Sequence, residues 1–99
     1  MRRLSPPTPP DSPCISSLSA LGQVVRARRL ASGLRIDDAA ALCGVSVDLL
    51  SRLENGRSGI SSDRLLKVLD ALGLAMIVLG KEAVPAGLKR RARGEEAAS

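Results

Sequence analysis

The chain has 99 residues, 44% of them hydrophobic, yet it contains no Phe, Tyr, Trp or His. That composition argues against aromatic stacking modules for single-stranded nucleic acid, and it removes the commonest general base and metal ligand. The net charge of +5 favours a polyanionic partner, and a chain this short buries a low fraction of its surface, so a second subunit would help its stability.

Residues 1–16 hold five of the six prolines, at positions 6, 7, 9, 10 and 13. Such spacing cannot sustain regular hydrogen bonding, and the segment reads as a disordered Pro-rich arm. Its basic start, Met1-Arg2-Arg3-Leu4, lacks the apolar stretch a secretory signal needs, and no apolar run approaches a membrane span. The expected location is cytoplasmic. Residues 17–80 read as one folded domain. Ser17 or Ser19 caps a first helix running to about Ser32, with Leu18, Leu21, Val24, Val25 and Arg28 marking one face and Gly33 as its stop.

A second helix begins near Ile36, with Asp37 and Asp38 in the first turn, where negative charge is favoured. Gly44 breaks it. Ser46 caps a third helix carrying Val47 to Asn55, and Gly56 ends it. Ala40 is small enough for a close helix crossing, Gly44 suits a left-handed turn, and Ala39, Cys43, Val45, Leu50 and Leu53 lock the pair. Cys43 thus reads as a small core residue; with Cys14 it forms no metal or disulfide pattern. Ser61 caps a fourth helix, roughly Ser62 to Leu72, whose apolar face is Leu65, Leu66, Val68, Leu69 and Leu72.

Leu74, Ala75, Met76, Ile77, Val78 and Leu79 form a continuous apolar run of strand length between Gly73 and Gly80. Both faces call for burial, yet the chain offers no second strand, and a lone strand leaves its edge unpaired. The same strand from a second subunit, paired about a two-fold axis, resolves this; a fifth buried helix or an apolar tail folded onto the core is the other reading. Residues 81–99 read as a flexible tail, where the cluster Lys89, Arg90, Arg91 and Arg93 offers nonspecific phosphate attraction. The charges are spread evenly: two basic and one acidic residue up to Ser17, eight and six from Leu18 to Gly80, five and three beyond.

Taken together, Leu21-Gly22, Gly33-Leu34, Ala39-Ala40, Gly44-Val45-Ser46 and Ser51-Arg52-Leu53-Glu54-Asn55-Gly56 resemble the Xre/Cro family of helix-turn-helix regulators over residues 21–79. The ending, a helix followed at once by Gly73 and an apolar strand, is similar to HipB-like antitoxins. The resemblance implies a mainly α, lambda-repressor-like bundle of four to five helices with a short C-terminal strand pairing across a homodimer. It implies an autoregulatory repressor of a toxin-antitoxin operon that binds a palindromic operator in double-stranded DNA and a HipA-like kinase toxin, with no cofactor. The alternative is a protein-binding antitoxin that acts mainly by neutralising the kinase and binds DNA weakly. Catalysis is not expected, since no paired carboxylates or phosphate-binding glycine loop are present.

By the same resemblance the third helix enters the major groove, with Val47, Asp48, Ser51 and Arg52 where bases are read. Arg52 would fork onto guanine. Asn55, Arg57 and Ser58 stand where the family grips phosphate, and Arg29 and Glu54 match its structural ion pair. Two departures stand out. Arg35 and Ile36 replace the usual Ser or Thr cap and the phosphate-reaching Gln, leaving Arg35 itself as a phosphate candidate. Val47 replaces a common Gln; it could touch a thymine methyl or pack on Ile36. Asp48 would repel phosphate and could accept only from cytosine N4 or adenine N6.

Overall fold

The structure is a computed structural model that describes residues 14–85. Most of the Pro-rich arm and the basic cluster at Lys89 to Arg93 lie outside the described residues. Four α-helices follow one another: α1 Leu18–Ala31, α2 Ile36–Cys43, α3 Val47–Glu54 and α4 Ser62–Ala71.

Local chemistry explains where each helix starts and stops. The hydroxyls of Ser17, Ser46 and Ser61 accept hydrogen bonds from the backbone N–H groups of Ala20, Leu49 and Arg64 at 3.0, 3.0 and 3.2 Å, satisfying donors that no helix carbonyl can reach. Only α2 lacks such a cap: Arg35 precedes it and makes no side-chain cap bond, and Asp37 and Asp38 in its first turn supply the negative charge instead. At the turn between α2 and α3, Gly44 sits at φ 72°, a left-handed conformation that a Cβ disfavours.

The core is aliphatic throughout. Val25, Ala39, Ala40, Cys43, Leu50, Leu53, Val68, Leu69 and Leu72 form one buried cluster, with Leu21, Leu34, Ile36, Val45 and Leu65 partly buried around it. α3 is the hub, packed against α1 on one side and α2 on the other, and α4 closes over α2. Burial pushes the Cys43 thiol pKa upward. In a Cys14→Ser chain, Cys43 is therefore expected to react with a thiol reagent only as fast as the fold opens. A rate equal to that of a thiol in water would show that α2 is not packed in this way.

Two helix faces differ from the sequence expectation. On α1 the buried residues are Gly22, Val25, Ala27 and Arg29, whereas Leu18 and Arg28 are exposed. The reason is that α1 meets α3 through a glycine and a charged pair, a contact that apolar periodicity does not register. On α4, Leu66 stands half in solvent while Val68, Leu69 and Leu72 are buried.

Beyond α4 the described residues form no strand. Leu74 is half-buried, and its N–H donates to the Leu69 carbonyl at 2.8 Å. From Ala75 the run is exposed, with Ile77 and Val78 at 77% and 85% of full exposure. A single 3-10 turn, Lys81–Ala83, follows Gly80, at the start of the segment read as tail.

Candidate nucleic-acid interface

Helix α3 separates its residues by about 100° each. Val47, Asp48, Ser51 and Arg52 therefore share one side, and Leu50 and Leu53, at 0% and 3% exposure, take the opposite one. Val47 and Asp48 are exposed; Ser51 and Arg52 are half-buried. Val47 stands outward at 44% exposure, which leaves its methyl groups accessible to a ligand.

Short contacts restrain the polar members of this side. Arg52 donates from Nη2 to the Ser58 carbonyl at 3.1 Å, and Gly59, at φ 85°, gives it room: a Cβ there would lie 3.2 Å from the same nitrogen. Asn55 turns back on its own helix, its Nδ2 donating to the Ser51 carbonyl at 2.7 Å. The four residues proposed from the sequence to grip phosphate thus fall into different states. Asn55 is engaged with Ser51, the Ser58 carbonyl accepts from Arg52, and the Arg57 side chain is exposed. Arg35 reaches Asp37 at 3.2 Å and Asp38 at 3.8 Å. The Asp37 hydrogen bond, with the charges of both aspartates, raises the Arg35 pKa, and the same bond lowers that of Asp37. All three side chains are solvent-exposed, so solvent screens these pairs and they exchange readily for other ionic partners.

Behind α3 the support is firmer. Arg29 donates from Nε to one Glu54 oxygen at 2.6 Å and from Nη2 to the other at 2.9 Å, while Nη1 donates to the Leu34 carbonyl at 3.0 Å. The two side chains are only 9% and 5% exposed. This bidentate pair ties the end of α3 to α1, and beside it Gly22 brings the two helices into backbone contact. A Cβ on Gly22 would run into the Leu53 carbonyl and lie 2.6 Å from that of Glu54.

Sequence reasoning missed Gly22 as a crossing point. A signal was available, because a glycine inside a helical pattern costs about 1 kcal/mol against alanine, a cost that a close helix crossing explains. It also missed Arg28, whose Nε donates to the Leu72 carbonyl at 2.8 Å; no local pattern announces a bond across 44 residues. Among the described residues no group of His, Cys, Asp or Glu side chains could hold a metal ion, and no helix is long and apolar enough to cross a membrane.

A family model described as a helix-turn-helix domain matches residues 20–76. No curated protein matches the sequence. Among solved structures, the clp gene regulator ClgR from C. glutamicum is similar at 32% identity and a TM-score of 0.55, covering 83% of this chain and 95% of that one. A chain of a HipA-HipB-O2-O3 complex is similar in fold at 22% identity and a TM-score of 0.62, covering 69% of this chain and 96% of that one. A chain of a HipB-O4 20mer complex gives the same values.

Proposed function

Because this chain belongs to the helix-turn-helix domain family of DNA-binding transcription regulators, we propose that it is a homodimeric repressor of its own operon and the antitoxin of a HipA-like kinase toxin. The observation that carries the reading is the exposed apolar segment Met76 to Leu79, which follows directly on a helix-turn-helix bundle. Consecutive large apolar residues in water mark an interaction surface, and a two-fold copy of the same segment would pair its edge. The likeness to chains from HipA-HipB and HipB-O4 complexes supports the reading.

In this proposal Val47, Asp48, Ser51 and Arg52 face the bases, and Arg35, Asn55, Arg57 and Ser58 lie against the phosphates. Arg35 exchanges its exposed aspartate partners for phosphate. Arg52 keeps donors free for guanine while Ser58 holds one of them. Replacing Arg52 by Ala is expected to cut discrimination between operator and unrelated DNA by roughly tenfold. Arg57→Ala should instead weaken all sequences alike and flatten the salt dependence. Binding measured with labelled DNA from the upstream region decides the matter. An unchanged specificity ratio in Arg52→Ala would remove Arg52 as a reader, and no protection of that region at low salt would remove the repressor reading.

A second reading rests on the acidic groups. Asp37, Asp38 and Asp48 all lie in first turns of α2 and α3, and their negative charge would oppose the approach of a phosphate backbone. They favour a protein-binding antitoxin with weak DNA affinity. Co-purification with the product of a neighbouring gene, combined with poor operator binding, would select it.

A further inference from the structure

The two adjacent arginines near the end of α1 reach in different directions. Arg29 grips the end of α3 through Glu54. Arg28 grips the end of α4: its Nε donates to the Leu72 carbonyl at 2.8 Å and its Nη2 to the Gly73 carbonyl at 3.4 Å. α4 has no basic residue in its own last turn, so Arg28 brings to that helix terminus the positive charge its dipole favours. The chain there is already constrained. Gly73 turns at φ 78°, its N–H donates to the Asp70 carbonyl at 3.0 Å, and the Leu74 N–H donates to that of Leu69 at 2.8 Å. Gly73 also leaves space for the guanidinium, since a Cβ there would sit 2.7 Å from Arg28 Nη2.

Residues 72–74 are thus the last anchored point before the exposed apolar run. We infer that Arg28 is a positioning residue for the dimer: it fixes the direction in which Leu74 to Leu79 leave the bundle. Through Arg29 and Glu54 it also fixes that direction relative to α3. Two copies joined through their apolar segments would then present their α3 helices at a defined separation. This inference rests on the homodimer proposed above. Without Arg28 the exit swings more freely, and the order it lost must be restored on association.

The test uses the full chain in sedimentation equilibrium with interference optics, because the chain lacks Trp and Tyr. Helix content is followed by circular dichroism. Arg28→Met keeps the apolar stem and removes every donor. It is expected to retain wild-type helix content and to weaken dimerisation about tenfold, chiefly through loss of the 2.8 Å bond to the Leu72 carbonyl. Arg28→Lys, which can still donate to one carbonyl, should recover part of that loss. Ile77→Asp serves as the reference for the segment itself and should abolish the dimer. If Ile77→Asp breaks the dimer and Arg28→Met dimerises as tightly as wild type, the role of Arg28 is overturned and the homodimer stands. A wild-type chain that stays monomeric, or an Ile77→Asp chain that still dimerises, overturns the segment as the interface and Arg28 with it. Loss of helix content in Arg28→Met overturns the positioning role in favour of a purely structural one.

Discussion

Replacing Glu54 by Ala is expected to lower the unfolding free energy by about 3–5 kcal/mol. The reason lies in what remains. Arg29 loses both carboxylate bonds and keeps the Leu34 carbonyl, in a position where its side chain is only 9% exposed with Glu54 in place. A guanidinium cannot relieve this by shedding its proton. The Glu54 hydrogen bond moreover holds the Arg29 pKa above its ordinary value. The sign of that shift places the stabilisation at every pH below the ordinary guanidinium range, and it is lost only as the pH climbs through the raised value. The Arg29 contribution should therefore not vary between pH 5 and pH 9. Small domains have only about 5–15 kcal/mol in total, so the variant is expected to be partly unfolded at 37 °C. Urea titration followed by circular dichroism at 222 nm measures the loss, and a change below 1 kcal/mol would mean that solvent reaches the pair. The double variant Arg29→Met with Glu54→Leu is expected to regain most of the stability, because apolar residues of similar volume often replace a buried pair without loss. That variant separates the cost of an orphaned charge from the worth of the link.

Signals confined to a few neighbouring residues were the ones readable from the sequence. Ser46, Ser61 and one of Ser17 and Ser19 were expected to cap; Ser17, Ser46 and Ser61 each accept the backbone bond three residues on. Gly44 ends α2 because the turn needs positive φ. That Leu50 and Leu53 lock α3 into the core was legible in the residues, and both are buried; the outward set Val47, Asp48, Ser51 and Arg52 came from the family resemblance. What the sequence did not disclose depends on residues brought together by folding. Leu66 looked like core because it lies next to Leu65 in an amphipathic pattern, but α2 covers only part of that face. Arg28 was read only as one of the residues marking a face of α1, because Leu72 and Gly73 are remote in the chain. Within the site, the posture of Asn55 over Ser51 and of Arg52 over Ser58 is set by which carbonyl each side chain can reach. Short polar choices of that kind depend on local backbone geometry, not on residue type. The apolar run Leu74 to Leu79 was read from its composition as wanting burial, and it is largely exposed in the single chain.

Gly22→Ala is expected to destabilise the fold by roughly 1–3 kcal/mol, the reverse of what helix propensity predicts. In an exposed helix interior the same change favours the helix by about 1 kcal/mol, because alanine has less freedom to lose. At Gly22 the added methyl meets the carbonyl oxygens of Leu53 and Glu54 and lies 2.8 Å from the Glu54 carbonyl carbon. All of these are backbone atoms, so no side chain can rotate out of the way. α1 and α3 must part, and the Arg29–Glu54 pair, which spans the same junction, must stretch with them. The losses from Gly22→Ala and Glu54→Ala should therefore not add: once the helices have separated, less remains for the second change to remove. Gly33→Ala is the control. That glycine sits at φ 74° with nothing within 4 Å of an added Cβ, so its cost comes from backbone conformation alone and should be about 1 kcal/mol. A Gly22→Ala chain that melts at a higher temperature than wild type would show that the two helices cross more loosely than this structure has them, and α3 would then owe its placement to the ion pair and the packing of Leu50 and Leu53.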